Sequence, residues 1–452
     1  MITNLFYTLG KLLVSSPFLV LWKKEVFSNN FKSGGLFMAL YISTEANRCL
    51  NCKKPLCMQG CPINTPIPQV ISLFKENKIR EAGQMLFQNN PMSLFCSIVC
   101  DHASQCEGHC ILNKKEAPIR FSNIERYISD ACLDRMDLPM ADLNGIKVAV
   151  IGGGPAGISA AILLRQKGYQ VTIFEAKNKI GGVLRYGIPD FRLPRSMMDR
   201  YEDKLLAMGI QIRTDATIGG ALEIDDLFRD GYKAIFIGTG VWRPKKLGIQ
   251  GESLSNVHFG IDYLLNPASH KLGKSLSILG MGNVAMDVAR TAFRHGVEKV
   301  TLYARAKRVA ASDHEVEYAK LDGAEFMFGM QVVSITEKGP VFKESIFDEN
   351  DKVIGLKDEL IQVESDSTII AVSQMPKNKL SQTTAGLVVT ENGLLKVDEF
   401  FQSSKEGIFG AGDVVLGSNT VVRAAATAKK AVEAMDAYLQ GRPLKPTEEA
   451  AS

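Results

Sequence analysis

Short apolar runs alternate with amphipathic stretches through most of the chain from residue 146 on. Residues 146–151, Ile-Lys-Val-Ala-Val-Ile, have the length and β-branched content of a buried strand. A helix follows over 158–167, and a second strand over 170–174 ends at Glu175. The cycle returns with a strand over 276–279, a helix running to about residue 295 and a strand over 299–303. Near the end, 407–413 form strand, tight turn and acid, and 420–439 continue as a helix. Strands alternating with helices predict parallel α/β sheets. Residues 38–143 differ, with helical stretches such as 67–88 and 119–133 and no strand pattern. Residues 5–22 are apolar but broken by Lys11, Ser15, Ser16 and Pro17, which argues against a membrane-spanning helix.

Composition narrows the class. The chain has 452 residues, 46% hydrophobic and 23% charged, as a globular protein of several domains would. The formal charge is +4, and residues 1–37 hold four Lys against Glu25, or +3 of it. No clustered basic excess remains for nucleic acid. Residues 33–38, Ser-Gly-Gly-Leu-Phe-Met, can be encoded with a ribosome-binding GGAGGU ahead of an AUG. Residues 1–37 therefore read as an upstream extension before a start at Met38, with a membrane tether as the alternative. The rest reads as a cytoplasmic protein.

All nine cysteines lie between Cys49 and Cys132. Eight form two quartets, Cys49, Cys52, Cys57, Cys61 and Cys96, Cys100, Cys106, Cys110. A structural zinc site prefers facing Cys-x2-Cys pairs, and only the first pair fits. Iron–sulfur runs are tighter and often end in Cys-Pro, as Cys61-Pro62 does. The spacing thus favours iron–sulfur clusters, bound in a small helical domain whose folding they support. Cys132 stands alone and reads as a small buried apolar residue.

After the strand at 146–151 come Gly152, Gly154, Pro155, Ala156 and Gly157 in a G-x-G-x-x-G turn. The first Gly makes the turn, the second admits a pyrophosphate, and the third lets the helix pack on the strand. The helix amino terminus faces the phosphates, and Glu175 is placed for ribose hydroxyls. The second cycle repeats this with Gly280, Met281, Gly282, Asn283, Val284 and Ala285. Its second strand ends in Tyr303-Ala304-Arg305-Ala306-Lys307-Arg308, with no acid for a free 2′-hydroxyl. Cations there suit a 2′-phosphate, so NADP(H) is expected over NAD(H), an ordinary solvated loop being the bland reading. The carboxyl-terminal Gly410-Ala-Gly412-Asp413 completes the first unit from a distance. The first unit is therefore the FAD unit, with the NAD(P) unit inserted in it and crossings near 238–240 and 371–374. The expected order is an all-α iron–sulfur domain (38–143), the FAD domain (144–270), the NAD(P) domain (271–375) and the rest of the FAD domain (376–452). The fold class is α/β, two Rossmann-like domains behind a helical one.

In combination, the Cys quartets, the two Gly motifs, residues 181–194 (Gly-Gly-Val-Leu-Arg-Tyr-Gly-Ile-Pro-Asp-Phe-Arg-Leu-Pro) and 410–419 resemble the two-dinucleotide-domain flavoproteins. More narrowly they resemble the glutamate synthase small subunit and the electron-input part of dihydropyrimidine dehydrogenase. The resemblance spans about residues 45–440. It implies interleaved clusters: Cys49, Cys52, Cys57 and Cys110 for one; Cys61, Cys100, Cys106 and Glu125, seven residues after Pro118, for the other. Cys96 would then be spare, whereas spacing alone would give it a cluster. For FAD the resemblance implies Pro155, Ala156, Gly182, Val183, Arg192, Gly412, Asp413 and Asn419 beside the glycines and Glu175. For the nicotinamide nucleotide it implies Met281, Gly282, Asn283, Val284 and Arg305. Two positions depart from the family: Ala304 replaces the first of two adjacent Arg, and Ser373 replaces a Gly in the second crossing.

No acid, base or nucleophile is required when nicotinamide and flavin carry the chemistry, and no catalytic residue is expected. No Cys-x-x-Cys lies beside either nucleotide unit, which excludes thioredoxin and glutathione reductase activity. The expected function is electron input: NAD(P)H to FAD to two [4Fe–4S] clusters to a partner, expected to carry FMN, in a glutamate synthase-like or pyrimidine reductase-like assembly. The alternatives are a stand-alone or bifurcating NAD(P)H:ferredoxin oxidoreductase and a non-enzymatic redox sensor.

Overall fold

The computed structural model describes residues 40–136 and 138–444, so the extension expected over 1–37 lies outside the described residues. The longer helices of the amino-terminal part include α1 (Ile67–Lys75), α2 (Ile79–Asn89), α3 (Ser93–Val99) and α4 (Phe121–Cys132). Each turns an apolar face inward, as Ile124 and Ile128 do on α4. Cys132 donates to the Ile79 carbonyl at 3.3 Å and is buried against Gly83, as its lone position suggested.

The first sheet is parallel, with β1 (Lys147–Ile151), β2 (Gln170–Phe174), β3 (Gln211–Arg213), β4 (Tyr232–Ile237) and β16 (Ile408–Gly410) in the order β16-β4-β1-β2-β3. Its strands read as near-continuous apolar runs because helices cover both faces. Helix α5 (Pro155–Gln166) follows β1, and α9 (Val421–Leu439) follows β16 and packs on α5. Helix α6 (Arg195–Ala207) carries the join to the amino-terminal helices. Tyr201 from α6 donates to the Pro91 carbonyl and packs its ring 4.6 Å from Phe95. Arg200 pairs with Asp130 and Asp134, and Lys429 on α9 reaches Asn89 at 2.9 Å. One continuous core runs from Ile42 through both parts to Met435. The helical domain thus leans on the FAD unit rather than on its own small core.

The second parallel sheet contains β6 (Val257–Phe259), β7 (Ser275–Leu279), β8 (Lys299–Ala304), β9 (Glu325–Phe328) and β14 (Ser367–Ile370), ordered β6-β14-β7-β8-β9. Helices α7 (Asn283–Arg294) and α8 (Asp313–Leu321) flank it. The chain crosses between units twice, and the crossings pair as a two-stranded ribbon, β5 (Arg243–Pro244) against β15 (Gln374–Met375). Because β6 already pairs with β14, the second unit starts ahead of the expected residue 271. A three-residue strand carries too little pattern to be read from sequence. The antiparallel β10 (Met330–Thr336), β11 (Gly339–Phe347), β12 (Val353–Leu356) and β13 (Ile361–Gln362) form a further sheet before β14 returns. Ser373 sits in the second crossing at φ +92°, a conformation glycine favours, and its carbonyl accepts from Lys245 N–H across the crossings at 3.1 Å. No helix among the described residues is long and apolar enough to cross a membrane.

Candidate functional site

The first nucleotide cradle sits at the carboxyl end of β1. Gly152 N–H donates to the Phe174 carbonyl at 2.8 Å, which locks the turn to β2. A Cβ on Gly157 would fall 1.9 Å from the Gly152 carbonyl oxygen, so α5 can approach β1 only with glycine there. Gly182, at φ +52°, brings its backbone over Gly154, where a Cβ would lie 2.7 Å from the Gly154 Cα. Pro155 and Ala156 open α5, and Val183 opens a short helix after Gly182. From the far end of the chain, Gly412 closes on Ala156, and its N–H donates to Thr427 at 3.1 Å. The fold therefore brings 152–157, 182–183 and 412–413 around one helix terminus. Asp413 is largely enclosed; burial pushes its carboxyl up to about 6 while the Asn419 backbone N–H pulls it down.

Glu175 ends β2 and accepts from Gly153 N–H at 2.7 Å and Lys177 N–H at 2.9 Å. Each carboxylate oxygen keeps a second lone pair for a ribose hydroxyl. Lys177 was not expected. Its ammonium sits 4.2 Å from the Tyr186 ring and 4.1 Å from the Trp242 ring, and burial pushes it down to about 8. The sequence signal is faint: Lys177 lies two residues past the acid, and Trp242 just past the first crossing.

The second cradle repeats the geometry. A Cβ on Gly280 would meet the Ala371 carbonyl oxygen at 2.4 Å, while one on Gly282 would project into open space, as a phosphate approach requires. The Met281 carbonyl accepts from Ala310 and Ala311 N–H, each at 3.0 Å. Asn283 accepts from Ser312 N–H at 3.0 Å, and Val284 packs over Gly260. Together these contacts tie the loop after β8 to the start of α7. Arg305, on that loop, is exposed, and so is Arg308; Lys307 pairs with Asp351 at 2.6 Å.

Arg192 has partners that the local sequence did not suggest. Its guanidinium reaches into the second unit, with both Asp287 oxygens at 2.7 Å and Glu315 at 2.5 Å. Side-chain exposure is 12%, 6% and 4% for Arg192, Asp287 and Glu315. Arg290 extends the cluster to Glu315 and Asp322 and lies over the Phe191 ring. Through these contacts Arg192 ties the FAD unit to the second unit. Two buried carboxylates facing it across a chain separation of about a hundred residues could not be read from local pattern.

The cysteines fall into two groups. Cys49, Cys52, Cys57 and Cys110 line one cavity, which Cys106 also lines. Cys57 lies in electrostatic reach of Cys110, Cys49 and Cys52, and burial pushes its thiol up to about 11. Cys106 lies in reach of Glu125 and Cys61, and Cys100 in reach of Cys96, Glu125 and Cys106. Glu125 is buried and accepts from the Ser93 hydroxyl at 2.7 Å; burial pushes its carboxyl up to about 8. Cys96 accepts from the Asn90 amide at 3.3 Å. All nine thiols are free. Among the described residues no three His, Cys, Asp or Glu side chains converge closely enough for one metal ion.

Two glycine cradles on two parallel sheets, one inserted in the other, define an FAD- and NAD(P)-dependent oxidoreductase. The chain belongs to the pyridine nucleotide-disulphide oxidoreductase family, whose description matches residues 146–434. A second match, the 4Fe-4S domain described as dihydropyrimidine dehydrogenase domain II, covers residues 29–136. The chain is 31% identical to the glutamate synthase [NADPH] small chain of Escherichia coli, over 88% of this chain and 91% of that one. It is 30% identical to the NAD-dependent dihydropyrimidine dehydrogenase subunit PreT of Salmonella typhimurium, over 89% and 96%. The NADP(+)-dependent formate dehydrogenase subunit beta of Moorella thermoacetica is 30% identical over 87% of this chain, which spans 61% of that protein. FprA from Mycobacterium tuberculosis, solved with NADPH, shares the fold at a TM-score of 0.55 and 17% identity, covering 68% of this chain and 88% of that one.

Proposed function

We propose that the chain is an electron-input subunit that oxidises NAD(P)H and delivers electrons to a separate acceptor protein. The observation that carries this reading is the sharing of one core by the two cysteine groups and the FAD unit. Bound FAD accepts the two electrons of a nicotinamide hydride, and clusters relay electrons singly. The residues hold and aim these groups. Cys49, Cys52, Cys57 and Cys110 would hold one cluster; Cys61, Cys100 and Cys106, with Glu125, the other, leaving Cys96 outside. The 152–157 turn, Gly182, Val183, Gly412, Asp413 and Asn419 would seat FAD, with Glu175 on the ribose. Met281 to Val284 would seat the nicotinamide nucleotide, and Arg305 would meet a 2′-phosphate, favouring NADP(H). The relatives' names support a partner subunit: they are a small chain, a beta subunit and a dihydropyrimidine dehydrogenase subunit. An FMN-carrying reductase or synthase subunit is the proposed partner.

Anaerobic purification of the tagged protein from its native cells tests the reading, with retained polypeptides and flavins identified. A stoichiometric FMN-containing partner is expected. A chain that carries FAD, iron and sulfide with no partner retained would replace the partner reading with the ferredoxin-linked one. A chain that oxidises neither NADPH nor NADH with any dye would refute both.

A further inference from the structure

The cavity of the first cysteine group opens onto an unusual surface. Leu50, Leu56 and Ile111 line that cavity and are 63%, 39% and 38% exposed. Three large apolar side chains at the mouth of a cysteine pocket mark an interaction site more than a solvated face. Lysines lie close to them along the chain. Lys53 and Lys54 lie between Cys52 and Cys57, and Lys114 and Lys115 follow Ile111. Lys75, on α1, is in electrostatic reach of Cys49. All five are exposed. No salt bridge engages them among the described residues, whereas nearby Lys78 and Arg48 pair with Glu76 and with Glu45 and Glu116.

We infer that this face is the docking surface for an acidic one-electron acceptor protein that places its redox group over the Cys49, Cys52, Cys57 and Cys110 pocket. The inference rests on the reading that these cysteines hold a cluster. An apolar centre excludes water at the closest approach, and an excess of lysines without salt-bridge partners steers an acidic partner. The step balances: one NAD(P)H yields NAD(P)+, one proton released to solvent and two electrons, and two acceptor molecules each gain one electron.

The test uses the full-length holoprotein with a purified acidic ferredoxin, basic cytochrome c and an uncharged quinone dye. Lys53→Glu with Lys54→Glu, and Lys114→Glu with Lys115→Glu, are compared with a charge-matched pair elsewhere, Lys233→Glu with Lys271→Glu. The wild type should bind ferredoxin more tightly at low salt than at about 0.2 M salt. Each rim pair should weaken binding roughly tenfold or more at low salt and flatten that dependence. Ferredoxin reduction should fall in parallel, while dye reduction, FAD and iron contents stay unchanged. Equal losses in the matched pair, ferredoxin binding indifferent to salt, or a stronger response with cytochrome c would overturn the inference. So would self-association of the chain through this face, seen by sedimentation and abolished by the rim variants. Binding is measured without turnover, so a chain lacking iron and sulfide would refute the cluster reading separately.

Discussion

Arg192→Met removes the cation shared by two buried carboxylates. Asp287 loses both of its short contacts, while Glu315 keeps Arg290 at 3.2 Å. Breaking a buried pair by deleting one partner costs about 3–5 kcal/mol. The remaining Arg290 contact places the expected loss at the lower end, about 3 kcal/mol at pH 8. Burial already pushes Asp287 up to about 6, with Arg192 the chief force pulling it down. Without Arg192 its folded-state pKa rises further above the unfolded value. A carboxyl raised on folding binds its proton more tightly in the folded state, so stability falls as pH rises through the folded pKa. The gap between wild type and variant should therefore be widest at pH 8 and narrow toward pH 6, by at most about 1.4 kcal/mol per pH unit. Denaturant unfolding of the holoprotein, followed by flavin fluorescence and circular dichroism, measures it. Asp287→Asn added to Arg192→Met should recover about half of the loss. A loss below about 1 kcal/mol at pH 8, or no recovery in the double variant, would refute the assignment of Arg192 as a tie between the units.

Three further outcomes are expected. Gly157→Ala drives a Cβ into the Gly152 carbonyl and should yield protein that fails to retain FAD, read from its absorption spectrum. Arg305→Ala should raise the KM for NADPH by about 10- to 100-fold, the worth of a charge-assisted bond, with NADH unchanged; equal losses would refute the 2′-phosphate role. Cys100→Ser should lower iron and sulfide per FAD by half, whereas Cys96→Ser should leave both clusters in place; an equal loss in Cys96→Ser would favour grouping by spacing alone.

The parallel strands and glycine turns were legible because each satisfies a local rule. Phosphate cradles need glycine at fixed intervals, and buried strands need unbroken apolar runs. The insertion of one unit in the other was legible because 407–413 supplies the strand and turn that 146–237 lacks. The rest depends on distant pairing. Strand β6 is three residues long and is recognisable only beside β14. The sheet of β10 to β13 mixes polar and apolar positions at its edges and carries no motif. Arg192 sits in a motif that points to FAD, yet its partners come from α7 and α8. Lys177 between two aromatic rings needs residues 186 and 242 brought together by folding.

The central claim is a chain that stores electrons in one flavin and two clusters. An anaerobic titration with NADPH, followed by flavin absorbance and electron paramagnetic resonance, tests it most directly. FAD takes two electrons and each cluster one, so about two NADPH per chain should complete the reduction once dithionite confirms the endpoint. Signals from two interacting reduced clusters should accompany it. Completion at about one NADPH, with dithionite adding no cluster signal, would contradict the account.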